Sequence, residues 1–306
     1  MTLLDRRFLV VTGKGGVGTT SVAAALAVAA ARTGKSVLLC EVQPGGGAGP
    51  AVGVDDPGYD PVPSTTPGLS VMAMDTERSV RDFVKVMTRV PLPVDSGPLA
   101  RILDFVASAA PGVREILTVG KLAHDVRERH YDLVVMDGPP TGHVVGHLAA
   151  TEGIIEIAGN GLLGRQAKWM RQILHDPAIT GAVVCATPEE LPVAEALDLI
   201  GRLDEETGVE VGAVVLNAVR PPALRAEAEA RVAAAAAARP DGDPLGTVLD
   251  AAVLAGRLRA AGAEAAATLR DGLTLAPIPL PLVVDASSDA EVVRELADAV
   301  AAELDL

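Results

Sequence analysis

The chain has 306 residues, enough for one large α/β domain or two ordinary ones, and its 49% hydrophobic content supplies a sizeable core. A formal net charge of -14 argues against nucleic acid as the main partner, because phosphate backbones are held by clustered basic surface. Aromatic residues make up only 2%, so packing has to come from small and branched aliphatic side chains.

Residues 1–12 carry charges inside their apolar stretch and run directly into a Gly-rich loop, so they do not read as a signal peptide. No apolar run reaches the length of about 20 residues that spans a bilayer. Short β-branched runs recur between helical patterns: Phe8–Thr12, Ser36–Val42, Leu69–Met74, Leu133–Asp137, Ala182–Thr187 and Gly212–Asn217, with Leu273–Pro279 a weaker seventh. Unalternated apolar strands spaced by helices predict a doubly wound, mainly parallel α/β sheet covered on both faces.

Several stretches interrupt that rhythm. Pro44–Pro67 is rich in Gly and Pro and reads as a loop at the ligand end of the sheet. The interval Asp75–His130 holds helical patterns: Val80, Phe83, Val84 and Met87, then Leu99, Ile102, Leu103 and Val106, follow the helical spacing rule. Ile154–Leu174, with Trp169 and Met170, is a further apolar-plus-basic helical stretch. These pieces predict a helical subdomain inserted at about 75–130 and 154–175 of a single domain, 1–306. Ala223–Arg270 reads as surface helices. The only cysteines, Cys40 and Cys185, each sit in an apolar run, as buried strand thiols that suit a reducing cytoplasm. The five histidines show no ligand spacing.

The chemistry concentrates in Val10–Ser21, VVTGKGGVGTTS. A Gly-rich turn between a buried strand and an Ala-rich helix aims backbone N–H groups and a helix N-terminus at one point, where anions collect. Gly13, Lys14, Gly15, Gly16, Val17, Gly18, Thr19, Thr20 and Ser21 are the phosphate-binding candidates. Against the pattern G-x-x-x-x-G-K-[ST], Thr19 stands where lysine belongs and Thr20 supplies the hydroxyl for magnesium. Asp137 ends a buried strand and suits the second magnesium contact.

The string KGGVG resembles the deviant phosphate-loop class K-G-G-x-G-K-[ST], which includes the ArsA arsenite-pump ATPase, the guided-entry ATPase for tail-anchored proteins, and MinD and ParA. The run Asp137-Gly138-Pro139-Pro140-Thr141-Gly142-His143 resembles the D-T-A-P-T-G-H signature of the ArsA and tail-anchored-targeting branch. Pro111–Leu122 and Thr187–Leu203 resemble further helices of that family, so the resemblance spans nearly the whole chain. It implies ATP or ADP with magnesium held by Thr20 and Asp137, and a two-fold dimer in which Lys14 reaches the opposite nucleotide. It also implies that Asn217 offers its amide to the adenine edge, with a proline of the 277–281 cluster as a second wall.

Two departures bear on turnover. Thr19 removes an ammonium from the β- and γ-phosphates, and Gln43 replaces the aspartate that orients the attacking water in the family pattern D-P-A-H-[SN]. Gln43 can orient a water but cannot act as a base; Glu41, two residues earlier, is a fallback carboxylate. No C-x-x-C clasp and no cysteine metalloid site is present, a combination that resembles the bacterial ArsA-like branch. The leading expectation is a dimeric, slowly hydrolysing cytoplasmic ATPase with Lys14, Gln43 and Asp137 as catalytic residues. Its nucleotide state would act on a helical region that binds a hydrophobic helical client or a membrane-protein partner. One alternative is a degenerate ATP-binding regulatory subunit in a heterodimer with an active ArsA-like paralogue. Another is a MinD- or ParA-like switch, against which the acidic C-terminus speaks.

Overall fold

The computed structural model describes residues 2–43, 45–75, 77–79, 81–82, 113–222, 224–240 and 244–306. The helical patterns expected from Val80 to Val106 lie outside the described residues.

In chain order the described elements are β1 (Phe8–Gly13), α1 (Thr19–Arg32), β2 (Val37–Glu41), a short α2 (Ala48–Ala51), β3 (Val62–Pro63) and β4 (Leu69–Ala73). There follow α3 (Val113–Glu128), β5 (Leu133–Asp137), α4 (Thr141–Ala158), α5 (Leu162–Leu174), β6 (Thr180–Ala186) and α6 (Glu190–Thr207). The C-terminal part holds β7 (Val211–Val219), α7 (Ala226–Ala238), α8 (Gly246–Asp271), β8 (Ile278–Pro281) and α9 (Asp289–Glu303).

The strands form one eight-stranded sheet in the order β3-β4-β2-β5-β1-β6-β7-β8. Every pairing is parallel except that of β3 with β4. This is the expected mainly parallel, doubly wound architecture of a P-loop NTPase. Strands β1, β2, β5 and β6 are buried along their whole length, which explains why they read as continuous apolar runs rather than alternating ones.

The lean composition sets how the first face packs. In α1 the alanines 23–25, 27 and 29–31 are all buried, and the helix lies between the sheet and Val293, Leu296, Ala297 and Val300 of α9. Small side chains let α1 sit close to the strands, so its N-terminus is held firmly at the end of β1. On the other face, α3 contributes Leu122 and Val126 and α5 contributes Ala167 and Met170, packed with Phe8, Val10, Val134 and Met136 of the sheet. Cys40 and Cys185 are buried free thiols in separate cores, with burial raising both pKa values, so neither is a ready nucleophile.

Three local readings change. The stretch Ile154–Leu174 is two helices, because Gly159 at φ +53 ends α4 before α5 begins. The weak seventh strand lies later than expected, at Ile278–Pro281, with only Leu280 fully buried. The Gly- and Pro-rich segment after β2 also contains the one-turn α2, and its Val62 and Pro63 pair antiparallel with Val71 and Ser70. The Ala-rich C-terminal helices are surface helices, except where Ala265, Ala266 and Leu269 of α8 pack against Val214 and Leu216. Among the described residues no helix is long and apolar enough to cross a membrane.

Candidate functional site

Strands β1, β5 and β2 bring their C-terminal ends to one rim. The register sets Val11 beside Asp137, and Asp137 beside Glu41. The loops leaving these strands therefore meet, as the parallel arrangement requires of a site at the carboxyl edge.

Leaving β1, the chain turns into α1 through Gly16 at φ +94 and Gly18 at φ +82. Gly18 is the N-cap residue of α1 and supplies no side-chain acceptor. The first-turn N–H groups have no partner within the helix, so the end of α1 is built to meet an anion. Gly13 is required for want of space: a Cβ there would lie 2.5 Å from the Cys185 carbonyl oxygen and 2.9 Å from Val17 Cγ2. The root of the loop is thereby pressed against β6. Gly13→Ala should lower unfolding stability by about 1–3 kcal/mol, since the neighbouring carbonyl cannot move without distorting the strand. Urea denaturation checks this, and a midpoint equal to that of the parent would contradict it.

A cavity of about 320 Å³ opens at this rim. Gly13, Lys14, Gly15, Gly16, Gly18, Thr19 and Thr20 line it from the loop, Gln43 and Gly46 from the segment after β2, and Asp137, Gly138 and Pro140 from the segment after β5. Thr20 Oγ1 donates to Asp137 Oδ2 at 2.9 Å. Asp137 is held in place by its surroundings: Gly138 N–H donates to the Val11 carbonyl at 2.8 Å, and Thr12 Oγ1 donates to the Pro139 carbonyl at 2.9 Å. Burial pushes the Asp137 pKa up to about 6; the Glu41 charge adds to the rise, and the Thr20 hydrogen bond opposes it.

A nucleotide with magnesium fits this donor set. The helix end suits phosphate, and the Thr20 hydroxyl and Asp137 carboxylate are hard oxygen ligands. Among the described residues no group of three or more His, Cys, Asp or Glu side chains is placed to hold a metal by itself. A magnesium ion at this rim would therefore share its coordination with phosphate oxygens and water.

Three of the expected binding residues stand apart from the cavity lining. Val17 is buried in the core below the loop, and Ser21 continues the first turn of α1. Asn217 is buried near the end of β7 and donates its Nδ2 to the Val17 carbonyl at 2.9 Å, so its amide braces the underside of the loop. Its strand neighbours Leu216, Ala218 and Val219 line a second, larger cavity of about 1150 Å³, walled also by α6, α8 and Pro279. Glu41 is buried with its carboxylate accepting the Gly49 N–H at 2.7 Å, which ties down the segment after β2.

One contact has no signal in the sequence. Lys14 Nζ lies 2.7 Å from Glu195 Oε1 on α6, across 181 positions of the chain. Only the adjacency of β1 and β6 brings the loop and the start of α6 together.

The comparisons agree with this geometry. The sequence profile of the anion-transporting ATPase family matches residues 6–157, which contain β1, α1, β5 and every residue lining the smaller cavity. ATPase BagA of Mycobacterium tuberculosis is 29% identical over 303 residues, covering 91% of this chain and 88% of that protein. A protein provisionally named arsenical pump-driving ATPase 2, of Aquifex aeolicus, is 25% identical over 241 residues, 68% of this chain and 79% of its own length. ATPase get3 of Schizosaccharomyces japonicus is 28% identical over 145 residues, 46% of this chain and 43% of its own. With the glycine loop, the Thr20–Asp137 pair and the parallel sheet meeting at one rim, the chain has the fold of a P-loop NTPase and is similar over residues 6–157 to the anion-transporting ATPase family, with relatives named for the arsenical pump and for get3.

Proposed function

We propose that this protein is a dimeric Mg-ATP-binding ATPase of slow turnover, of the bacterial ArsA-like kind, in which nucleotide state is read by the helical region at about 75–130 and 154–175. The observation that carries this reading is the meeting of the α1 N-terminus, Thr20 and Asp137 around one cavity. In it, Gly15, Gly16 and the first turn of α1 receive the phosphates, and Thr20 and Asp137 hold the magnesium. The metal would supply neutralisation of phosphate charge. Gln43, at the cavity wall, orients the attacking water by hydrogen bonding. The base of the nucleotide would lie toward β7 and β8, where Pro279 lines the larger cavity.

Slow turnover follows from charge. Thr19 donates no positive charge, and Lys14 is the only Lys or Arg among the described residues lining the smaller cavity. Losing one electrostatic stabiliser of a transition state commonly costs on the order of a hundred- to thousand-fold in rate. Nucleotide binding is less exposed, because a charged hydrogen bond contributes roughly 1.5–3 kcal/mol among several phosphate contacts. The same two substitutions, Thr19 and Gln43, favour a second reading: an ATP-binding regulatory subunit paired with an active ArsA-like paralogue.

Steady-state hydrolysis by the parent, Thr19→Lys, Gln43→Asp and the double variant tests this. Both changes should raise kcat, and the double change by more than either, since they act on one transition state. Parent turnover already in the ordinary range of about 1–1000 per second would contradict the reading. A lack of gain from both substitutions would favour the regulatory subunit.

A further inference from the structure

The ion pair between Lys14 and Glu195 has a bearing on how the loop lysine is used. Both backbones are fixed: Gly13 is pressed against Cys185, and Val193 and Ala196, flanking Glu195 on α6, are buried. The side chains are not: Lys14 is 30% and Glu195 36% exposed. What can change at this contact is therefore the direction in which the Lys14 ammonium points.

We propose that Glu195 is a positioning residue that holds Lys14 in reserve, keeping its ammonium on α6 until the phosphates of a bound nucleotide compete for it. The proposal rests on the ATPase reading above: Lys14 lines the phosphate cavity, and its ammonium serves the phosphates of this nucleotide or, in the two-fold dimer, of the opposite one. A partly exposed ion pair is weak, because water screens it and two long side chains must be ordered to form it. A magnesium-bound triphosphate offers several anionic oxygens to one ammonium, against a single carboxylate from Glu195. The exchange needs no backbone rearrangement, only rotation about the lysine side-chain bonds. Glu195 thus acts as an internal competitor that weakens nucleotide capture and keeps the loop lysine from remaining free when no nucleotide is there.

Calorimetric titration of Mg-ATP into the full chain, its Lys14→Met, Glu195→Gln and doubly substituted forms, tests this. Glu195→Gln removes the charge and keeps the shape. It should tighten binding about two- to fivefold, the scale of a partly exposed ion pair, while Lys14→Met weakens it. The gain from Glu195→Gln should vanish in the Lys14→Met background, which a merely structural role for Glu195 would not produce. Glu195→Asp, keeping the charge on a shorter arm, should fall between the parent and Glu195→Gln. If Lys14→Met weakens binding but Glu195→Gln leaves it unchanged, or shifts it equally in both backgrounds, the reserve role is overturned while the role of Lys14 stands. If Lys14→Met leaves binding unchanged, the reading of Lys14 fails and the reserve role with it.

Discussion

Gly16→Val is expected to abolish nucleotide binding, a loss of at least about a hundredfold, while leaving the protein folded. A Cβ at Gly16 meets no heavy atom within 4 Å, so the branched side chain has room only by projecting from the loop that receives phosphate. The residue sits at φ +94, which strains any β-branched side chain. That strain costs about 1–3 kcal/mol and is local. Circular dichroism should show a melting temperature lowered by a few degrees, and calorimetry should show no binding heat. Binding by Gly16→Val equal to that of the parent would remove the loop from the site.

Asp137→Asn is expected to stabilise the protein in the absence of magnesium while destroying the dependence of nucleotide affinity on magnesium. Burial, assisted by the charge of Glu41, raises the Asp137 pKa from 3.8 to about 6. The unfolded chain releases this proton near the ordinary carboxylate pKa, whereas the native protein keeps it until about pH 6. Between those values the native state holds more protons, so stability from this group is full below the ordinary pKa and lost as pH rises through the native one. Above that window the buried charge costs on the order of 3 kcal/mol, and an amide does not carry it. Asp137→Asn should therefore raise the melting temperature near neutrality by several degrees, and the gain should disappear at about pH 4. Magnesium binding by the parent should weaken as pH falls through the same window, because a proton competes for the carboxylate. A variant that melts below the parent at every pH would mean that the Asp137 charge is already compensated in the fold.

The strands of this fold are legible in the sequence because β1, β2, β5 and β6 are buried from end to end, leaving unbroken apolar runs. The short edges are not. β3 is two residues long, and β8 is interrupted by Pro279 and Pro281, so neither carries a pattern long enough to register. At the site, the phosphate loop and Asp137 are legible because the loop follows one recognisable strand and Asp137 ends another. The pairing of Glu41 with Asp137 depends on sheet order, and order is set by packing rather than by local composition. The Lys14–Glu195 contact has the same origin, since no periodicity connects positions 181 residues apart. Asn217 shows a third case. The family resemblance gives its amide to an adenine edge, and no local pattern shows that its Nδ2 donates to the Val17 carbonyl beneath the loop.

The measurement that bears most directly on the central claim is calorimetric titration of ATP into the purified chain with and without magnesium. The account predicts one binding event per chain that magnesium strengthens in the parent and leaves unchanged in Asp137→Asn. Binding of equal strength in both proteins with and without magnesium, or no binding in either, would contradict it.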